Sequence, residues 1–330
     1  MQANDLFGHH DLALPMRRDT DDFRSFVVSK FKAFESLIGQ VSGTDQVSAQ
    51  VKSNVQTIHD LCVAVLDVVD RYLAGDPGAA FNRLDQALAP IRVHIERLFA
   101  EVEPTAQLKR FYRARIEDSP LDRREDLFHI PFESRHMVGN HRYSISGLPC
   151  LYLGGSTFVC WGELGRPQFD RVQIAAFWLR RNKKIKLVDF GHQPQWLAKW
   201  IANANQKFKG NPLDPAAMAY LVAHLVCWPL MAASSVVTRY PKGPFKQEYV
   251  VPQVLLQWIS RQPDFDGIRY FSTHVAGVTD NPHWVCNYVF PVKHNAVAGR
   301  CQHIRGLFKM TEPYAWQLLH AISLDGTQRR

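Results

Sequence analysis

The sequence predicts an α+β fold: a helical N-terminal region followed by a mixed α/β domain. Three observations predict it. Apolar residues recur at helical spacing through the first hundred positions. Beyond Pro104, short alternating strands interleave with helices without a regular βαβ repeat. The chain has 330 residues, 46% hydrophobic and 21% charged, which leaves ample core and excludes a disordered or collagen-like protein. The expected organisation is a flexible N-terminus over 1–20, a helical region over 21–104 and the mixed domain over 105–330.

In the first helix, Phe23, Phe26, Val27, Phe31, Phe34, Leu37 and Ile38 share a face; Thr20 is the expected cap and Gly39 the stop. A second, longer helix is expected from Asp45 to Tyr72, with Val51, Val55, Ile58, Leu61, Val65 and Val69 in one stripe. The run Ala74-Gly75-Asp76-Pro77-Gly78 breaks it. A third spans Ala79 to Ala100, and three such helices suggest a bundle for packing or oligomerisation. Strands are expected at Arg110–Ile116, Leu151–Leu153, Arg171–Leu179, Ile185–Phe190, Gly267–Thr273 and Trp284–Val292. Helices fall at Thr157–Leu164, Gln195–Asn203, Ala216–Ala233, Gln247–Gln262 and Thr311–Ile322. The domain boundary is placed near 101–108.

Several function classes lose support at this level. Lys and Arg exceed Asp and Glu by 39 to 31, a charge of +8 that favours anionic partners without choosing among them. The densest basic run, Arg180 to Lys186, reads as a charged hairpin tip, and no nucleic-acid motif accompanies it. Six cysteines lack any Cys-x-x-Cys pair and read as reduced thiols of a cytoplasmic protein. No signal peptide fits the start. Residues 216–237 carry no Asp, Glu, Lys or Arg, yet Tyr220, His224, Pro229, Ser234 and Ser235 favour a buried core helix over a membrane span. Cys286, Cys301 and His303 do not stand at zinc-ligand spacing, so no metal is expected.

The chemistry concentrates between Phe128 and Leu164. Leu151 and Leu153 alternate with Tyr152, so the tyrosine faces away from the leucines on a short strand. Gly154-Gly155 then predicts a tight turn, and Ser156 is a plausible N-cap whose helix brings free N–H groups toward a phosphate. Glu163 lies two turns along that helix. Arg142 precedes Tyr152 across Gly147-Leu148-Pro149. Far downstream, Gly267-Ile268-Arg269-Tyr270-Phe271-Ser272 places Ile268, Tyr270 and Ser272 on one strand face. Taken singly, Arg142 suits a surface ion pair, Tyr152 interlayer packing, Glu163 an exposed helix face and Ser272 a strand end.

In this order and spacing, Arg142, Tyr152 and Glu163, followed by Ser272, resemble the RES domain family, whose members include toxins of toxin–antitoxin pairs. The resemblance covers roughly residues 110 to 310. Phe111-Tyr112-Arg113-Ala114-Arg115 also resembles the Arg-bearing first strand of that family, with either arginine as the match. Two departures stand out: His141-Arg142-Tyr143-Ser144 replaces the Gly-Arg-Trp-Asn common in compact members, and the gap from Glu163 to Ser272 is long.

The resemblance implies an ADP-ribosyltransferase-like fold and a catalytic domain over 105–330. NAD+ is then the substrate, no cofactor is permanently bound, and inorganic phosphate, water or a protein side chain is the acceptor. The reaction implied first is cleavage of the nicotinamide–ribose bond by a growth-arresting toxin or defence effector. Protein mono-ADP-ribosylation and a catalytically silent nucleotide- or nucleic-acid-binding module are the alternatives. An antitoxin protein is an expected partner, nucleic acid and membrane are not, and homo-oligomers stay open.

The residue types suit that chemistry. Cleaving the glycosidic bond builds oxocarbenium-like charge on the ribose, which a carboxylate such as Glu163 stabilises. A forked, permanent cation such as Arg142, with Arg113 or Arg115, suits a diphosphate. The Tyr152 ring can stack on nicotinamide, and Ser272 can hydrogen-bond the ribose or the amide.

Overall fold

The computed structural model describes residues 1–102, 110–207, 213–275 and 281–316. Its helices, in chain order, are α1 (Phe23–Gly39), α2 (Gln46–Ser53), α3 (Val55–Leu73), α4 (Pro77–Leu88), α5 (Arg92–Arg97) and α6 (Thr157–Glu163). They continue with α7 (Pro194–Lys207), α8 (Pro215–Val226), α9 (Trp228–Ser234), α10 (Val250–Arg261) and α11 (Gln302–Leu307). The strands are β1 (Phe99–Val102), β2 (Phe111–Ile116), β3 (Cys150–Gly154), β4 (Val172–Leu179) and β5 (Ile185–Phe190). After them come β6 (Gly267–Phe271), β7 (Cys286–Pro291), β8 (Phe308–Met310) and β9 (Tyr314–Ala315). The mixed helix and sheet content is the α+β class that the sequence predicts, with helices preceding the sheet.

The chain divides into two compact units. The first holds Met1–Phe99, Asn140–Ile145 and Val188–Gln262; the second holds Ala100–Gly139, Ser146–Leu187 and Pro263–Arg330. The N-terminal helices therefore share a unit with α7 to α10. The expected boundary near 101–108 falls mostly on residues outside those described.

The first unit is helical. Residues 1–20 are packed rather than loose, contrary to expectation. Leu6, Phe7 and Leu12 are fully buried, and the Trp228 indole N–H donates to the Leu12 carbonyl at 3.1 Å. An aromatic set explains this, because Phe34 stacks on Trp228 with ring centroids 4.2 Å apart and Phe7 meets His224 edge-on. Asp22, not Thr20, caps α1, its carboxylate accepting from the Ser25 amide.

The single helix expected over 45–72 is two. Asn54 turns its side-chain amide back onto the Gln50 carbonyl at 2.8 Å, and the chain restarts as α3. The break shifts the helical phase, so Val55 of the expected stripe is exposed while Ile58, Leu61, Cys62, Val65 and Val69 are buried. The expected third helix likewise ends early. Pro90, which has no N–H to donate, follows α4, and α5 gives way to β1.

The apolar stretch over 216–237 is also two helices. α8 starts at Pro215 behind the Asp214 cap, and α9 departs from it by 56° around Pro229. Residues 221–236 are buried within the unit. No single helix among the described residues is long and apolar enough to cross a membrane.

The second unit is built on a mixed sheet of order β1-β5-β6-β7-β3-β2-β4-β8, with β9 also paired to β4. The chain passes between units within β1 and β5. The expected hairpin at the basic run is absent, since β4 and β5 are not neighbours. Five strand spacings of ~4.8 Å, about 24 Å in a flat sheet, separate them. The linker from Leu179 to Ile185 spans at most ~22 Å even when extended, and a turn from Arg180 to Lys183 shortens it further. The sheet must therefore curl.

One face of the sheet buries Phe111, Phe177, Phe290 and Phe308, whose rings meet edge-on. The strand expected from Trp284 starts at Cys286, because Pro282–Val285 form a 3-10 turn. The helix expected over 311–322 begins instead with β9, after Pro313, and residues 317–322 lie outside those described.

Candidate active site

The site forms on the second unit's other sheet face. In register, Tyr152 of β3 pairs with Val289 of β7, Gly154 with Asn287, and Asn287 with Tyr270 of β6. Directly paired residues share a face. Tyr152, Gly154, Asn287 and Tyr270 therefore stand together, opposite the side that carries Leu151 and Leu153. The alternation read from the sequence places Tyr152 correctly.

Helix α6 delivers the acid onto this face. Ser156 caps it, accepting from the Val159 amide at 3.1 Å while donating its own proton to the Trp284 carbonyl at 2.6 Å. The helix seats tightly because glycines leave room. A Cβ on Gly154 would stand 2.6 Å from Cys160 Sγ, and one on Gly155 only 1.8 Å from the His283 carbonyl oxygen. Neither glycine has positive φ, so close packing rather than the expected turn conformation requires them. Val159, Val275 and Val285 form a small buried cluster under the helix. Gly162 fits against Val275, where a Cβ would come within 2.6 Å of its Cγ2. Gly165 and Arg166, both at positive φ, end the turn beyond Glu163.

Glu163 closes α6, with its side chain 32% exposed. Its Oε1 accepts two hydrogen bonds, from the Ser272 hydroxyl at 2.6 Å and the Asn287 side-chain amide at 2.7 Å. Its Oε2 faces His274 Nε2 at 3.9 Å. The structure thus brings Glu163 and Ser272 together across 109 positions of sequence.

The Ser272 hydroxyl, expected to contact ribose or amide, is bonded within the protein. Its oxygen accepts from the backbone amides of His274 at 3.0 Å and Val275 at 3.2 Å. A hydroxyl has one proton and two acceptor positions, and all three are engaged. The proton is therefore committed to Glu163.

Tyr152 is half-buried, and burial pushes its phenol well above the ordinary range, helped by the neighbouring Cys150 and Tyr270. The ring is a neutral surface at any physiological pH. Arg113 lies close enough to lower the titrations of Tyr152, Cys150 and Cys160. Its own guanidinium is pulled down to about 10 by burial and by Arg115, and stays cationic at neutral pH. Its Nη1 is buried with no hydrogen-bond partner among the described residues. Of the pair, Arg113 is the arginine that is electrostatically coupled to Tyr152. Burial pushes Cys150 and Cys160 up to about 12, which leaves both as inert thiols.

Arg142 belongs to the first unit. It is 7% exposed, donates from Nη1 to the Ser234 carbonyl at 3.0 Å and lies 5.1 Å over the Tyr249 ring. These contacts anchor the Asn140–Ile145 segment within that unit.

Asn287 escaped the sequence reading. The available signal was a polar amide in the middle of Cys286–Pro291, an otherwise apolar, fully buried strand. Asparagine is disfavoured in strand interiors and costly to bury without partners.

The chain is 30% identical over 271 residues to a protein named Putative toxin YopC of Bacillus subtilis (strain 168). The match covers 80% of this chain and 60% of that protein, so the chain spans about 60% of the length of the curated relative it matches. The similarity supports a toxin-like relationship. No family model and no solved structure matches the chain.

Proposed function

We propose that this protein degrades NAD+, cleaving the nicotinamide–ribose bond with inorganic phosphate or water as acceptor, and that it acts as a growth-arresting toxin or defence effector. The observation that carries the reading is Glu163: a carboxylate held by two neutral donors on a tyrosine-bearing sheet face, with its second oxygen turned away from them. Cleavage sends the bonding pair to the nicotinamide ring nitrogen, which leaves neutral, while positive charge builds on the ribose. Glu163 offsets that charge. Tyr152, held neutral, offers its ring to the departing nicotinamide. Arg113 supplies the diphosphate contact. Its buried, unpartnered Nη1 is a donor that a ligand anion would satisfy, and an unsatisfied buried donor costs about 1–3 kcal/mol. Attack by an acceptor oxygen on the ribose carbon, with loss of its proton, completes the exchange. The relative named as a putative toxin supports the toxin part of the reading.

The test incubates purified protein with NAD+, with and without phosphate, and follows free nicotinamide. Release that disappears in Glu163→Ala supports the reading. The absence of release in both mixtures overturns it. Label transferred from NAD+ to a protein band would assign ADP-ribosylation instead.

A further inference from the structure

We infer that Asn287 is a positioning residue for Glu163, sharing with Ser272 the task of fixing one carboxylate oxygen so that the other alone meets the substrate. The inference rests on the NAD+ reading of the site. Its basis is geometric. Asn287 is 7% exposed, in a strand whose other members are apolar or aromatic. It pairs with Gly154 on one side and Tyr270 on the other. The missing side chain of Gly154 leaves the room through which α6 approaches. Both donors, Ser272 and Asn287, address the same oxygen, Oε1, from two different strands' ends. Two bonds converging on one oxygen define the plane and rotation of a carboxylate that one bond would leave free to turn. They also leave Oε2 as the oxygen with negative charge to direct elsewhere. Both donors are neutral, so neither bond at Oε1 brings in a cation that would cancel the acid's field at a developing ribose cation, and His274, 3.9 Å from Oε2, does so only when protonated.

Donation to the ionised form favours ionisation, so removing Asn287's amide moves the acid limb of the pH–rate profile upward. The other titratable groups around Glu163 are few. His274 faces Oε2 from the segment after β6, and Cys160 lies on α6 itself. Tyr152, Tyr270 and Tyr112 stand on the sheet beneath, and Arg113, next to Tyr112 in β2, is electrostatically coupled to Tyr152. His283, in the turn before β7, is occupied by the Tyr288 hydroxyl and the Arg110 carbonyl. Of these, Tyr270 is the direct cross-strand neighbour of Asn287.

The experiment compares nicotinamide release by wild type, Asn287→Leu and Asn287→Asp between pH 4.5 and 8. The leucine variant keeps the branching at the γ carbon and removes the donor, and the aspartate variant keeps the shape and adds a second acid. The expected result is a fall of ~10-fold or more in kcat/KM at pH 7 and an acid limb raised by about one pH unit, further in the aspartate variant. A merely structural role would lower activity without moving the limb, and that outcome overturns the inference, as does wild-type kinetics in both variants. The Asn287 side-chain amide resonances are followed in the wild-type protein and in Glu163→Gln, which needs no variant at Asn287. Resonances that titrate with pH and move on Glu163→Gln support the contact, and resonances indifferent to both overturn it. Wild-type protein that releases no nicotinamide overturns the NAD+ reading, while the amide titration still decides whether Asn287 holds the acid.

Discussion

Replacing Ser272 with alanine removes one oxygen atom and three hydrogen bonds. The lost donor bond goes to a carboxylate, and such bonds contribute about 1.5–3 kcal/mol net. Two backbone amides, of His274 and Val275, lose their acceptor, and that of Val275 is buried. Leaving one buried amide unsatisfied costs ~1–3 kcal/mol. The bonds share an atom and do not add fully, so the expected destabilisation is roughly 3–4 kcal/mol. The void left by one oxygen in a residue only 1% exposed contributes little beside this. For a chain of this size that loss lowers the melting temperature by roughly 10 °C. Glu163 retains Asn287, so catalysis falls without vanishing, by about 10- to 100-fold in kcat/KM at a temperature where the variant is folded. Thermal melts read the first quantity and nicotinamide release the second. A variant that melts within 1 °C of wild type, by an approximate criterion, and turns over NAD+ normally would refute the bridge drawn between Ser272 and Glu163.

Gly155→Ala places a methyl group 1.8 Å from the His283 carbonyl, where only backbone movement can make room; a loss of ~3 kcal/mol or more is expected in denaturant melts. Arg113→Met removes a buried cation with an orphaned nitrogen. Stability is therefore expected to hold or rise, while KM for NAD+ rises ~10-fold; a strongly destabilised variant with unchanged KM would rule out the ligand role. His129 and His224 are both lowered to about 4 by burial, against 6.5 when exposed. Between those values the unfolded chain binds more protons than the folded one, so stability is full above about pH 6.5 and falls as pH drops toward 4. Each contributes a loss of up to ~3 kcal/mol, which melts at pH 7 and pH 4.5 detect; a flat profile would contradict the buried neutral imidazoles.

Much of the second unit was legible because strand alternation is a local property. Leu151-Tyr152-Leu153 set the face of the tyrosine, and Ser156 marked the start of α6, without knowledge of neighbours. The helix breaks at Asn54, Pro90 and Pro229 were harder to place, since apolar spacing continues through them while one side-chain hydrogen bond or one missing N–H stops the backbone. The order of strands was not legible, and so the basic run between β4 and β5 was read as a hairpin. Asn287 and the saturation of Ser272 were invisible for the same reason: their meaning lies in partners more than a hundred positions away.

By itself the sequence determined the mixed fold class, the face that Tyr152 occupies and the helix that carries Glu163, because periodicity, caps and glycines act within a few residues. Only the tertiary structure decided that Ser272 and Asn287 both donate to the acid and that Arg113 is the arginine electrostatically coupled to Tyr152. A hydrogen-bond donor is assigned by whichever acceptor the folded sheet brings within reach, and no local pattern specifies that distance.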